Sequence, residues 1–175
     1  MNELLTVTLN VTLSDVLMVL SVLLLSAGVV LEFSRSENGV AFSCLGLGAL
    51  NRCNMVAVSD KVLLFWSVVT IIVLVIMRMR GGQSGYPVLC KRFIAGGALA
   101  GMIVGMLWGY AALMAGAAAG AVLGAVAWSR TPSGMVCPRS AGGAIVEVGL
   151  PAVVVMVMTG IAIHSFIVAS HSGGM

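Results

Sequence analysis

Apolar positions in this chain run in long unbroken blocks, not in the alternation of a strand or the one-sided stripe of a soluble helix. A block of about 20 apolar residues is long enough to cross the hydrocarbon core of a bilayer as a helix. The first block covers residues 13–33, with Thr12, Ser14 and Asp15 as candidate caps at its start and Glu32 and Arg35 at its exit. A second covers 62–79, preceded by Asp60 and Lys61 and closed by Arg78 and Arg80. A third and much longer stretch covers 93–128, and the last covers 142–168. The fold class this predicts is all-α. It is a single polytopic membrane domain over residues 1–175, with four membrane helices, or five if the long stretch turns back on itself.

The connections are polar or broken by Gly and Pro. Residues 34–61 form the longest one, with a turn signal at Glu37-Asn38-Gly39. Its middle, from Val40 to Leu50, is apolar but too short to span, which suits an interfacial or re-entrant piece. Residues 80–92 are a linker in which Gly81, Gly82, Gly85 and Pro87 interrupt any helix, and residues 129–141 form a loop carrying Arg130 and Arg139. The start of the chain carries Glu3 and no Lys or Arg before the first block, so that block is expected to be a retained helix and not a cleaved leader.

The long stretch has an internal order of its own. Gly97, Gly101, Gly105 and Gly109 recur every fourth residue, and Gly116, Gly120 and Gly124 follow at the same interval, with Ala112 four before them. A spacing of four puts each set on one stripe of a helix. A stripe without side chains lets another backbone come close, and close packing is what joins helices in lipid. As one straight helix, 36 residues would reach about 54 Å, well beyond a core of about 30 Å. No polar turn residue interrupts the stretch, and a single long helix is the expectation. The alternative is a tight hairpin near Trp108-Gly109-Tyr110. That alternative would place the basic linker and the basic loop on one side, as the excess of Lys and Arg on cytoplasmic connections requires.

Composition agrees with the block pattern: 60% of the 175 residues are hydrophobic and only 9% are charged, against about 25% in soluble domains. The net charge of +3 is too small and too dispersed to point to nucleic acid. Two His and four Cys without a CxxC pair make no metal site, and no cofactor motif is present. Cys44 and Cys53 share a connection and are the one candidate disulfide, if it faces an oxidising compartment.

Glu147 is the one side chain that invites a chemical reading. It lies inside an apolar block, where a carboxylate is costly and often functional. Pro151 follows four residues later and has no N–H, so the Glu147 carbonyl loses its helical partner. A carboxylate beside a freed carbonyl suits a proton or cation site. The competing explanation is that Glu147 is close to the start of its helix, where a negative charge suits the dipole. His164 lies about 25 Å further along the same helix and cannot share a site with it.

The segment from Phe93 to Val168 resembles two families. With Arg130-Thr131-Pro132 before a helix bearing Glu147 and Pro151, it is similar to the rotor-ring proteolipids of ATP synthases, although their inner helix spaces its glycines by two. With its Gly/Ala-rich helices and a short loop carrying Arg130 and Arg139, it resembles the pilin-like and small inner-membrane subunits of conjugation and type IV secretion systems. The second resemblance implies a non-enzymatic subunit of the bacterial inner membrane. Such a subunit would sit in the bilayer; the glycine faces themselves are expected to pack on the last helix of the same chain or on another subunit, giving a homo-oligomer or an assembly with other membrane subunits. The first implies a ring or channel subunit that moves protons or cations with Glu147.

Overall fold

The computed structural model describes residues 2–34, 38–53, 58–79, 86–132 and 141–172. Among them there is no strand. The elements are α1 (Asn2–Glu32), α2 (Gly39–Arg52), α3 (Asp60–Met79), α4 (Val88–Met106), α5 (Tyr110–Ser129), a short α6 (Ala141–Ala144), a π-helical turn (Ile145–Gly149) and α7 (Leu150–Ser172). Helix is the only answer available to an isolated segment in oil, because it alone satisfies every backbone N–H and C=O internally. That is why Val- and Ile-rich α3, a poor helix former in water, is helical throughout.

Among the described residues five helical stretches are long and apolar enough to cross a membrane: Asp15–Glu32, Asp60–Met79, Val88–Met106, Tyr110–Ser129 and Gly142–Val168. The protein is an integral membrane protein on that evidence. The first, second and last lie within two residues of the boundaries expected from the hydrophobic blocks. The long stretch differs from the expectation. It is two helices, not one, separated at Leu107–Gly109. Gly109 has φ 97°, a conformation that a residue with a Cβ rarely adopts, so the chain can reverse there without any polar turn residue.

The last span is the hub. About 67% of its window is buried, against 22% for the first and second. It packs against α1, α2, α3, α4 and α5. Around it the helices alternate in direction. Tyr110 at the start of α5 donates to or accepts from Ser165 near the end of α7, Oη to Oγ 3.0 Å, and Asn51 at the end of α2 donates to Asp60 at the start of α3, 3.5 Å. Those contacts define one end of the bundle. At the other end Tyr86, before α4, meets Trp128 of α5 edge to face, with ring centroids 6.4 Å apart.

The charges divide unevenly between the ends. The Tyr86 end holds Arg78, Lys91, Arg92 and Arg130, and the segments joining its helices carry Arg35, Arg80 and Arg139 in the sequence. The Tyr110 end has Arg52 and Lys61.

The apolar middle of the second connection is α2, 14 residues long or about 21 Å. It runs back along α1 from the Tyr86 end to the end where Asn51 meets Asp60. Val40 and Leu47 are fully buried, and Gly46 sits against the Leu25 N–H and the Ser21 carbonyl at 3.0 Å from where its Cβ would be. The candidate disulfide does not form. Cys44 lies within α2 and Cys53 directly follows it. Nine residues of helix put about 13 Å between them, beyond the reach of a disulfide at about 7 Å. Cys44 instead meets Ser67 of α3, sulfur to oxygen 3.9 Å.

Candidate functional site

Two regions hold the residues singled out by the sequence. The first is the glycine face. A Cβ on Gly97 would overlap the Gly120 carbonyl oxygen, one on Gly101 the Gly116 oxygen, and one on Gly105 the Ala112 oxygen. The relation is mutual: Gly116 and Gly120 would strike the carbonyls of Gly101 and Gly97, and Gly124 that of Phe93. Each step of four up α4 is met by a step of four down α5. The two glycine sets are therefore each other's partner within one chain, and they are not left open for another subunit. Gly109 belongs to neither face. No atom lies within 4 Å of its Cβ position, and its role is the turn itself.

The second region is the Tyr86 end, where ionisable side chains are carried into the bundle. Glu147 sits in the middle of the π turn, partly buried, with Oε2 inaccessible. The turn answers Pro151. Because Pro151 cannot donate to Glu147, the helix widens by one residue, and Leu150 donates its N–H to the Ile145 carbonyl. Such single wide turns are frequent at functional sites. A Cβ on Gly149, two residues on, would lie 3.6 Å from Ile94 and 3.9 Å from Ala121, so the widened turn packs against the α4–α5 hairpin.

Two charges at this end were not expected to be inside. Lys91, in the first turn of α4, is 1% exposed, and Glu32, the last residue of α1, is also 1% exposed. The Glu32 carboxylate lies over the first residue of α2, with Oε1 2.8 Å from the Cβ position of Gly39. A negative charge beside the unpaired N–H groups of a helix start is electrostatically favourable. A full side chain at position 39 would push it away. The sequence placed Glu32 and the basic linker at a boundary. It held no sign of burial, because a charge beside a hydrophobic block looks the same whether it faces water or a neighbouring helix.

His164 is at the opposite end. Its ring is tilted against Tyr110 at 4.7 Å, and its Nδ1 is buried with no protein partner. As expected from their spacing, Glu147 and His164 do not meet. Among the described residues no three His, Cys, Asp or Glu side chains converge as a metal cage. Residues 80–85 and 133–140, with the linker glycines, Arg139 and Cys137, lie outside the described residues.

Searches against known protein families, curated proteins and solved structures return no match. What the chain is rests on its own geometry: an integral membrane bundle of helices around a buried last span.

Proposed function

We propose that this protein is a non-enzymatic integral membrane subunit of a larger bacterial inner-membrane assembly, of the kind found in conjugation and secretion machinery. The observation that supports this reading is how the bundle spends its polar groups. Glu147 and His164 sit at opposite ends, and Thr70 and Thr159 bond to their own helices, at Trp66 and Val155. Catalysis needs polar groups converging on one concave place. The Tyr86 end, with its cationic excess, faces the cytoplasm in this reading. Assembly would use the outer faces of the bundle, since the glycine faces are already spent on each other.

The test is the mass of the protein extracted from membranes in a mild detergent and chemically cross-linked beforehand. A discrete species larger than one 17.9 kDa chain is expected. A monomer in every mild detergent and in lipid nanodiscs would remove the assembly role.

A second reading has one observation in its favour, the π turn centred on Glu147. In it the carboxylate carries a proton or cation. Glu147→Gln separates the two: ion flux in reconstituted vesicles is lost in the second reading, while the first leaves assembly mass unchanged.

A further inference from the structure

α3 stands apart from the hairpin it runs beside. It packs on α2 and on α7, and between it and α5 there is a gap. The gap holds two cavities, one of about 440 Å³ opening near Ser59 and Tyr110, the other of about 310 Å³ reaching down to Ile76 and Leu150. Phe65, Trp66 and Met114 line both, so the two are one seam running along most of the span. The lower part has no polar lining at all. The upper mouth carries the few polar groups, Ser59 and Tyr110.

We propose that this seam seats a lipid acyl chain, headgroup towards the Ser59 mouth, as a resident part of the fold. Two features choose lipid over another helix. Helices in a membrane join through small residues that let backbones approach. This chain follows that rule at α4–α5, but α3 has no Gly and no Ala in its 20 residues. Its seam wall is Phe65, Trp66, Val69, Ile72, Val73 and Ile76, a surface of bulky branched and aromatic groups. A rigid helix would meet that wall at side-chain tips and leave voids, and voids forfeit contact energy. A flexible hydrocarbon chain fills an irregular groove. The mouth also offers the Ser59 and Tyr110 hydroxyls, the polar groups a headgroup could meet. This proposal stands independently of any assembly role.

Trp66 reports on it. It is 5% exposed and borders both cavities, whereas Trp128 is 1% exposed within the bundle and Trp108 is 81% exposed at the turn. Single-tryptophan proteins, made with Phe at the other two positions, are reconstituted into phosphatidylcholine vesicles with brominated acyl chains. Trp66 is expected to lose fluorescence nearly as strongly as Trp108, far beyond what its exposure suggests, and Trp128 to lose little. Met114→Phe, which fills the seam from the α5 side, should restore Trp66 emission and leave Trp108 unchanged. If a Trp128 replacement fails to fold, Trp66→Phe in the otherwise native chain gives the same reading by difference. Trp66 quenching as weak as that of Trp128 would overturn the proposal. Protection of Trp66 together with cross-linking between copies from Cys placed at Phe65 would do so too, by assigning the seam to a second copy.

Discussion

The bundle contains two antiparallel hairpins, and they are closed in different ways. In the α4–α5 hairpin glycine meets glycine, and the atoms in the way of any side chain are backbone carbonyls: Gly101 against Gly116, Gly97 against Gly120. In the α1–α2 hairpin Gly28 and Gly39 meet a side chain as well as each other's carbonyl, Gly46 meets the Leu25 side chain as well as backbone, and Gly48 meets nothing. A Cβ on Gly28 would overlap Ser43 Oγ, and one on Gly39 would lie 2.8 Å from Glu32 Oε1. The first is a backbone-to-backbone seam with no give. The second adds side-chain knobs to its backbone contacts, and a knob can be trimmed. The difference predicts which substitutions can be rescued.

The largest effect is expected at the centre of the first hairpin. Gly101→Leu has to force α4 and α5 apart along several turns, at a cost of about 3 kcal/mol or more. Even Gly101→Ala should be severe, because a carbonyl oxygen cannot be mutated away. The measurement is the denaturant midpoint of the purified protein in mixed micelles, with tryptophan emission as the signal. A Gly101→Leu protein as stable as the parent would mean the hairpin does not pack as described.

Gly28→Ala tests the second hairpin. Alone it should cost about 1–3 kcal/mol. Removing the Ser43 hydroxyl in the double variant with Ser43→Ala should recover part of that, a coupling of about 0.5–3 kcal/mol. Gly39 O lies 2.9 Å from the same position, so recovery is expected to be incomplete. Strictly additive losses in the double-mutant cycle would erase the distinction between the two hairpins.

Gly109→Ala comes next and acts by a different route. Space is open around it, but φ 97° strains any residue with a Cβ, by about 1–3 kcal/mol. Two neutral substitutions that differ only in backbone demand, Gly109→Ala and Gly48→Ala, separate conformational strain from packing, because Gly48 is helical and also has nothing near it.

The two hairpins also show what a sequence makes legible. The first was readable because both of its faces repeat at intervals of four, and a repeat survives without knowing the partner. What the repeat could not say was that the partner lay further along the same chain, 15 residues on for Gly101 and 23 for Gly97. The turn at Leu107–Gly109 carries no polar residue, since Gly109 supplies the reversal by its dihedral alone. Only the charge balance, with basic residues flanking the stretch on both sides, favoured two spans. The second hairpin was not readable. Gly28, Gly39, Ser43 and Gly46 keep no fixed interval along the sequence, and side chains of other types, Ser43, Glu32 and Leu25, share in their contacts. Val40–Leu50 was recognisable as an apolar piece too short to span, but not as a helix folded back on α1. In the candidate site Pro151 announced the disturbed backbone around Glu147, since a missing N–H is a local fact. The burial of Lys91 and Glu32 depends on which helices pass beside them, and no local pattern records that.

The smallest effect is the one that most sharpens the contrast between packed and unpacked glycines. Gly96 is adjacent in sequence to Gly97 and lies in the same helix, yet nothing is within 4 Å of its Cβ position, while a Cβ on Gly97 would run into Gly120. Gly is about 1 kcal/mol poorer than Ala in a helix interior. Gly96→Ala is therefore expected to leave stability unchanged or raise it by up to about 1 kcal/mol. Gly97→Ala should lower it by well over that amount, since the overlap is with backbone. Paired denaturation curves of these two proteins hold composition, helix and depth in the bilayer constant and change only which side of α4 gains a methyl group. Opposite signs are required if α4 meets α5 along the Gly97–Gly105 stripe. Equal losses at both positions would mean that α4 is wrapped on two sides, with protein against the Gly96 side as well.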